Sequence, residues 1–372
     1  MTKEAKLKER LERILRAVAL EPVDRPPVVL EYAGFAAQVT KAPLPRFFTE
    51  PEYSLQKMIE AWGIVCRDFE ADAIHYGYSN AYSLAMLWMS KVKVPGVDLP
   101  EDVPYQVHEA ELMKVEDYDR ILKEPWPEFY MDFLAKRVFD DVPAKYHPWN
   151  QERLDVAGAW AAIGVPVLSG GAFGTPFELF CGARSLSRFI TDLFTIPDKV
   201  EAAMEAIVPH LAPPSLKAAK EQGCPFCWLG GWRAASNMLS PRLWRRFVWP
   251  YFQRLVNEVV EAGLVCLLHL DADWTRDLEF FRELPAKRCV LATDGQTDLF
   301  KAKEVLGDRI CLMGDVPATM LTLGRPDEVL AYSTRLIREL GPQGFILQSG
   351  CDIPFDAKLE NVQAMVKAAT GG

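Results

Sequence analysis

GLVCLLHLDADWTRDLEFFRELPAKRCVLATDGQTDLFKAKEVLGDRICLMGD, residues 263–315, alternates short apolar runs with amphipathic ones. GLVCLLHL (263–270), RCVLATD (288–294) and RICLMGD (309–315) each read as a short apolar strand, and the segments at about 275–284 and 298–306 read as amphipathic helices. Such alternation with short links requires a parallel sheet. Parallel neighbours need a crossover, and the crossover helices cover both sheet faces.

The same pattern extends in both directions. Towards the carboxyl end come a helix at about 325–340, the strand GFILQSG (344–350) and a helix at about 357–369. Towards the amino end come a helix at about 241–262 and the strands PFCWLGG (225–231), GVPVLSGG (164–171), ADAIHYG (71–77) and VVLEY (28–32), with further helices at about 151–162 and 51–69. Eight strands is the number that closes a (β/α)8 TIM barrel, and we expect one such α/β barrel domain over 1–372. The runner-up, a doubly wound open sheet, gains no support from a GxGxxG or GxxxxGK[ST] loop, since neither occurs.

Two additions to the barrel are expected. Residues 1–27 form an N-terminal helical extension, with Leu7, Leu11, Ile14, Leu15 and Val18 on one face until Asp24, Pro26 and Pro27 break the period. The stretch at about 90–115, rich in Val, Pro and Asp with local alternation, reads as a hairpin insertion. Short helical segments from Glu116 and through about 127–139 read as peripheral.

Composition narrows the class. With 49% hydrophobic and 25% charged residues over 372 positions, the chain can bury a large core. A net charge of −9 without a long basic run lacks the electrostatic footprint of a nucleic-acid binder. The charged opening MTKEAKLKERLERILRAVAL has no signal-peptide core, and no apolar run approaches membrane-spanning length, so no membrane partner and a cytoplasmic location are expected. Cys66, Cys266, Cys289 and Cys311 lie in apolar runs, as buried reduced thiols do.

Chemistry concentrates at two strand ends, LVCLLHLDADW (264–274) and ILQSGCDIP (346–354). His269 and Asp271, one residue apart, project to the same side of a strand, and Cys351 follows Ser349 and Gly350, which leave its thiol room to face the same cavity. Imidazole and thiolate together favour zinc, with Asp271 as a third ligand and a fourth position open for catalysis. Asp294, at the end of the next strand, is a candidate to complete or orient the site, or to cap a loop. Each motif has a bland counterpart: a strand-end histidine held by a carboxylate, and a cysteine that only packs. Cys224 and Cys227 form a lone CxxC, read as structural because no second pair accompanies it. His75, Tyr32, Phe173, Trp228 and Trp232 are candidate substrate-pocket residues, whereas His108, His147 and His210 lie in surface-like contexts.

The runs SNMLSPRLWRRFVWPYFQRLVNEVVEAGLVCLLHLDAD (236–273), DLFKAKEVLGDRICLMGDV (298–316) and SGCDIPFDAKLENVQAMVKAA (349–369) resemble the uroporphyrinogen decarboxylase superfamily. Within it the likeness is to the cobalamin-dependent methyltransferase branch, typified by methylcobalamin:coenzyme M methyltransferase. The resemblance implies a (β/α)8 barrel and separates the branches. The decarboxylase branch carries an arginine-rich RQAGRY segment after the first strand to hold substrate carboxylates; here that place reads EYAGFAAQV (31–39), without arginine.

The methyltransferase branch binds zinc through an HxC pattern and a distant cysteine in a GC segment. His269 and Cys351 match, while Asp271 stands where the other cysteine is expected. A carboxylate donates less charge than a thiolate and leaves zinc the stronger Lewis acid, so a methoxylated aromatic becomes at least as good a methyl donor as a thiol is an acceptor. The resemblance thus implies methyl transfer between a small molecule and cobalamin on a separate corrinoid protein, because the DxHxxG loop of a corrinoid carrier is absent from this chain. Two rival readings remain: a metal-free decarboxylase or lyase in which His269 and Asp271 form an acid/base pair, and a catalytically silent binding barrel.

Overall fold

The computed structural model describes residues 2–371. Eight parallel strands occur in chain order: β1 (Val29–Leu30), β2 (Ala73–Ile74), then, after an antiparallel pair β3 (Lys91–Lys93) and β4 (Gln106–His108), β5 (Ser169–Gly174), β6 (Phe226–Gly231), β7 (Val265–Leu270), β8 (Cys289–Thr293), β9 (Cys311–Val316) and β10 (Phe345–Ser349). Strands β5 to β10 pair in sequence order as one six-stranded sheet, and β1 pairs with β2. Parallel bridges Val28–Leu347 and Ile74–Val167 join the two sheets at both edges, so pairing runs around all eight strands. The Leu347 N–H donates to Pro27 O and the Leu168 N–H to Ile74 O at these seams.

Alternation along the strands sorts side chains into two layers. Val29, Ala73, Leu168, Phe226, Leu267, Val290, Met313 and Ile346 form the inner core. Ile14, Ala17 and Val18 of the opening helix α1 (Lys3–Val18) belong to the same cluster, so the N-terminal extension packs against the barrel interior. Its guanidiniums are tied down: Arg10 donates to Gly164 O, and Arg13 meets Asp24 at 2.8 Å and the fully buried Asp72 at 2.7 Å. Arg25 also pairs with Asp72, which accepts the Val28 N–H as well, fixing the entry to β1.

Several elements differ from the sequence expectation for local reasons. The third barrel strand runs to Gly174 and does not stop at Gly171. A Cβ at Gly170 would lie 2.8 Å from the Cys224 Cβ, and one at Gly171 would lie 2.1 Å from Ser215 O. The two glycines mark where the helix Ala212–Gln222 presses on the strand, not where the strand ends. The helix expected at 241–262 is broken at Val248, where Pro250 opens a second helix, Trp249–Glu261. Residues Thr275–Glu283 form a 3-10 helix with a kink at Asp277. Four helices, Pro176–Arg184, Leu186–Thr195, Pro197–Ile207 and Ala212–Gln222, fill the long link between β5 and β6, for which the sequence pattern predicts no element. No helix of the described residues is long and apolar enough to cross a membrane.

Candidate metal centre

At the carboxyl ends of the strands the inner alternation continues with polar residues. Two positions beyond Val29, Ala73, Leu267, Met313 and Ile346 stand Glu31, His75, His269, Asp315 and Gln348, all buried. His269 lies in register with Gly230 on one side and Ala292 on the other, so small neighbours leave its ring room.

His269, Asp271 and Cys351 converge as the sequence predicts. The His269 Nε2 lies 3.5 Å from Asp271 Oδ1 and 3.6 Å from Cys351 Sγ. The three donor atoms lie within 4.8 Å of one another. A tetrahedral zinc with nitrogen and oxygen at about 2.0–2.1 Å and sulfur at about 2.3 Å has N–O and N–S edges of about 3.4 and 3.6 Å. Asp271 Oδ1 is also buried without a hydrogen-bond partner, an arrangement that is unfavourable unless something binds it. The donor set and its spacing therefore fit a zinc ion with one position to spare.

Behind this trio lies a group that the sequence reading missed. Glu31 Oε2 accepts from Gln348 Nε2 at 2.5 Å, lies 2.7 Å from His75 Nδ1 and is 3.7 Å from His269 Nδ1. Glu31, His75 and His269 thus form a second three-donor group that shares His269. Burial works against the Glu31 charge, but His75 and His269 hold its carboxyl below the usual range. Burial likewise disfavours the His269 cation, yet Glu31, Asp271 and Cys351 together hold the imidazole well above its ordinary value. Burial pushes the Cys351 thiol up to about 12, opposed by His269. The signal for Glu31 was present in VVLEY: it shares the parity of Val29, and a carboxylate inside an apolar strand is unusual.

The other candidates divide. Trp228 faces the interior, its ring centroid 5.5 Å from that of His269 and its indole lying over Gly230. His75 is in place, 6.0 Å from His269 between ring centroids. Tyr32 is not a pocket wall: its parity is opposite to that of Glu31, and its hydroxyl donates to Met58 O within the outer core. Phe173 is likewise misplaced by the sequence reading, since it pairs with Leu229 and packs between the strands and the helices. Asp294 does not join the trio; its two oxygens accept the N–H groups of Ala272 and Gln296 and so fix the turn that carries Asp271. Cys224 and Cys227 are free and buried, as a structural reading requires.

A cavity of about 570 Å³ adjoins the centre through Asp352, the residue after Cys351. The β3–β4 hairpin roofs it with Tyr105, Gln106 and Val107, and Trp232 and Arg233 form its wall at the end of β6. The Tyr76 hydroxyl donates to Asp352, whose carboxyl is pushed up to about 7 by burial and by the Glu31 charge. Buried Glu178 accepts the N–H groups of Trp232 and Ala234 and shapes the loop after β6.

Comparison with known proteins agrees with this architecture. The chain is 24% identical over 383 residues to uroporphyrinogen decarboxylase from Coxiella burnetii (strain Dugway 5J108-111), covering 97% of this chain and 95% of that one. It is 26% identical over 200 residues to uroporphyrinogen decarboxylase from Geobacter sp. (strain M21), which covers 51% of this chain and 55% of that one. A solved methyltransferase from Methanosarcina mazei superimposes with a TM-score of 0.68 at 20% identity, covering 96% of both chains, and so shares the fold. The profile of the family described as uroporphyrinogen decarboxylase (URO-D) matches residues 158–371, more than half of the sequence and all of β5 to β10, and the chain belongs to that family.

Proposed function

We propose that this protein moves a methyl group between a small molecule, a methoxylated aromatic or a thiol, and the cobalt of cobalamin on a separate corrinoid protein, with zinc held by His269, Asp271 and Cys351. The observation that carries the reading is the spacing of those three donors at the carboxyl face of the barrel, where such folds place their chemistry. Zinc held there supplies a Lewis acid that lowers a thiol pKa or polarises an ether oxygen.

The chain's own residues do the rest. Glu31, fixed by His75 and Gln348, faces Nδ1 of His269 and orients the ring so that Nε2 points towards Asp271 and Cys351. Trp228 packs beside His269 on the β6 side of the centre. Asp352, held by the Tyr76 hydroxyl, borders both the trio and the cavity, where it can exchange the proton that a substrate oxygen or sulfur gains or loses.

Tetrapyrrole decarboxylation is less well supported, despite the names of the relatives. A substrate with several carboxylates requires several fixed cations, and the cavity lining offers only Arg233.

The deciding experiment is metal content by elemental analysis, wild type beside Cys351→Ala, followed by corrinoid absorbance with thiols and methoxyarenes. We expect about one zinc per chain, lost in the variant, and a change in cobalt absorbance only with the wild type. A metal-free wild type, or a fully active Cys351→Ala, refutes the zinc reading; a metal-free protein that still turns over leaves His269 and Asp271 as an acid/base pair.

A further inference from the structure

The group behind the trio has a geometry of its own. Glu31 Oε2 lies 2.7 Å from His75 Nδ1 but 3.7 Å from His269 Nδ1, too far for a hydrogen bond. Among the described residues His269 Nδ1, His75 Nε2 and Gln348 Oε1 are all buried without a partner. Glu31, His75, His269 and Gln348 are each more than nine-tenths buried, so this concentration of unmet polar atoms lies inside the barrel.

The same distances suit a cation. Donors held about 2.0–2.1 Å from one ion stand at most about 4.2 Å apart, and both Glu31 distances fall inside that limit. One donor atom from each of Glu31, His75 and His269 lies within 4.8 Å of the others. Two imidazoles and a carboxylate form a donor set for divalent first-row ions, and a half-turn of the Gln348 amide brings its oxygen to the Glu31 side as a fourth donor.

His269 serves the two groups with different nitrogens: Nε2 faces Asp271 and Cys351, and Nδ1 faces Glu31. Ions on the two nitrogens of one imidazole stand about 6 Å apart, so neither displaces the other. Asp271, the Cys351 thiolate, Glu31 and the ring without its Nδ1 proton supply four negative charges against two divalent ions, which leaves no net buried charge. The first ion eases the loss of that proton to solvent, and the second therefore follows the first.

We propose that Glu31, His75 and Nδ1 of His269 bind a second divalent cation, zinc in the first instance, that shares the His269 ring with the first and clamps the barrel. The sharing rests on the zinc reading of His269, Asp271 and Cys351. Glu31 and His75 directly follow the two-residue strands β1 and β2, which meet the six-stranded sheet at the single bridges Val28–Leu347 and Ile74–Val167. His269 stands on β7, in the middle of that sheet and across the barrel from them. An ion between them ties the short-stranded wall to the long-stranded one, as structural metal sites tie separate elements.

The test is titration of the purified protein with zinc chloride, read by calorimetry and by elemental analysis after gel filtration, for wild type, His75→Gln and His75→Ala. Wild type should reach about two zinc per chain, with a further rise in melting temperature as the second ion binds. Both variants should keep the first ion and bind the second at least about tenfold more weakly. Circular dichroism separates a lost ligand from a lost fold, and His75→Gln keeps an amide donor for Glu31. Saturation of wild type at one ion overturns the second site and leaves the methyl-transfer reading standing; a wild type that takes up no zinc removes both. Equal uptake of a second ion by the His75 variants places that ion elsewhere and overturns the proposal, as does loss of both ions from a folded His75→Gln.

Discussion

At the scale of single residues, the proposed centre depends on Glu31 as much as on the three candidate donors. Its carboxylate lies between the two histidines, and it faces His269 on the side away from Cys351. Glu31→Gln should fold but bind zinc about 10–100-fold more weakly, measured by chelator competition, because the ring loses the charge that orients it. Unchanged affinity assigns Glu31 to packing alone. Asp315, two positions beyond Met313 in the interior, supplies a pH signature. Burial pushes its carboxyl up to about 7, partly opposed by the Tyr332 hydroxyl. The unfolded value is about 3.9, so the native state binds the proton more tightly, and this contribution to stability is full below pH ~4 and lost as pH rises to about 7. Asp315→Asn should therefore gain stability relative to wild type between pH 4.5 and 7.5 in urea titrations; a pH-independent difference removes the assignment. His269, Asp271 and Cys351 were legible in the sequence because strand ends and donor chemistry are local properties. Glu31 is signalled by the parity of VVLEY, but only the closed sheet says which parity faces inward.

At the scale of elements, α1 seals one end of the barrel through a buried charge cluster. Asp72, fully buried, serves Arg13, Arg25 and the Val28 N–H together. Asp72→Ala leaves buried guanidinium and amide groups unpaired and should destabilise the fold by about 3–5 kcal/mol in urea unfolding. A loss well below about 1 kcal/mol means that water replaces the carboxylate and that α1 is held by Ile14, Ala17 and Val18 alone. The β3–β4 hairpin was anticipated from the alternation at 90–115, yet its role was not, since nothing local says that Tyr105 comes to rest over the loops after β1 and β10. The four helices between β5 and β6 are hard to read from the sequence because three of them carry a proline in their first two positions, Pro176, Pro197 and Pro213, which resembles loop punctuation.

At the scale of the whole molecule, the proposed zinc ties together β7 and the loop after β10, which are far apart in sequence. Ligand that binds only the folded chain stabilises it by RT ln(1 + [L]/Kd), about 2.7 kcal/mol at a hundredfold excess over Kd. Zinc should therefore raise the melting temperature of wild type in a concentration-dependent way and a chelator should reverse it, with Cys351→Ala indifferent to both; an indifferent wild type contradicts the centre. The sequence by itself determined the βα order, the count of eight barrel strands and the three donors, because periodicity and strand-end chemistry are written in consecutive residues. Only the tertiary structure decided that Glu31 and not Tyr32 faces the interior and that Phe173 turns outward. Those outcomes depend on which face of each strand the closed sheet turns inward and on which distant loops meet above it, and neither is a local property of the chain.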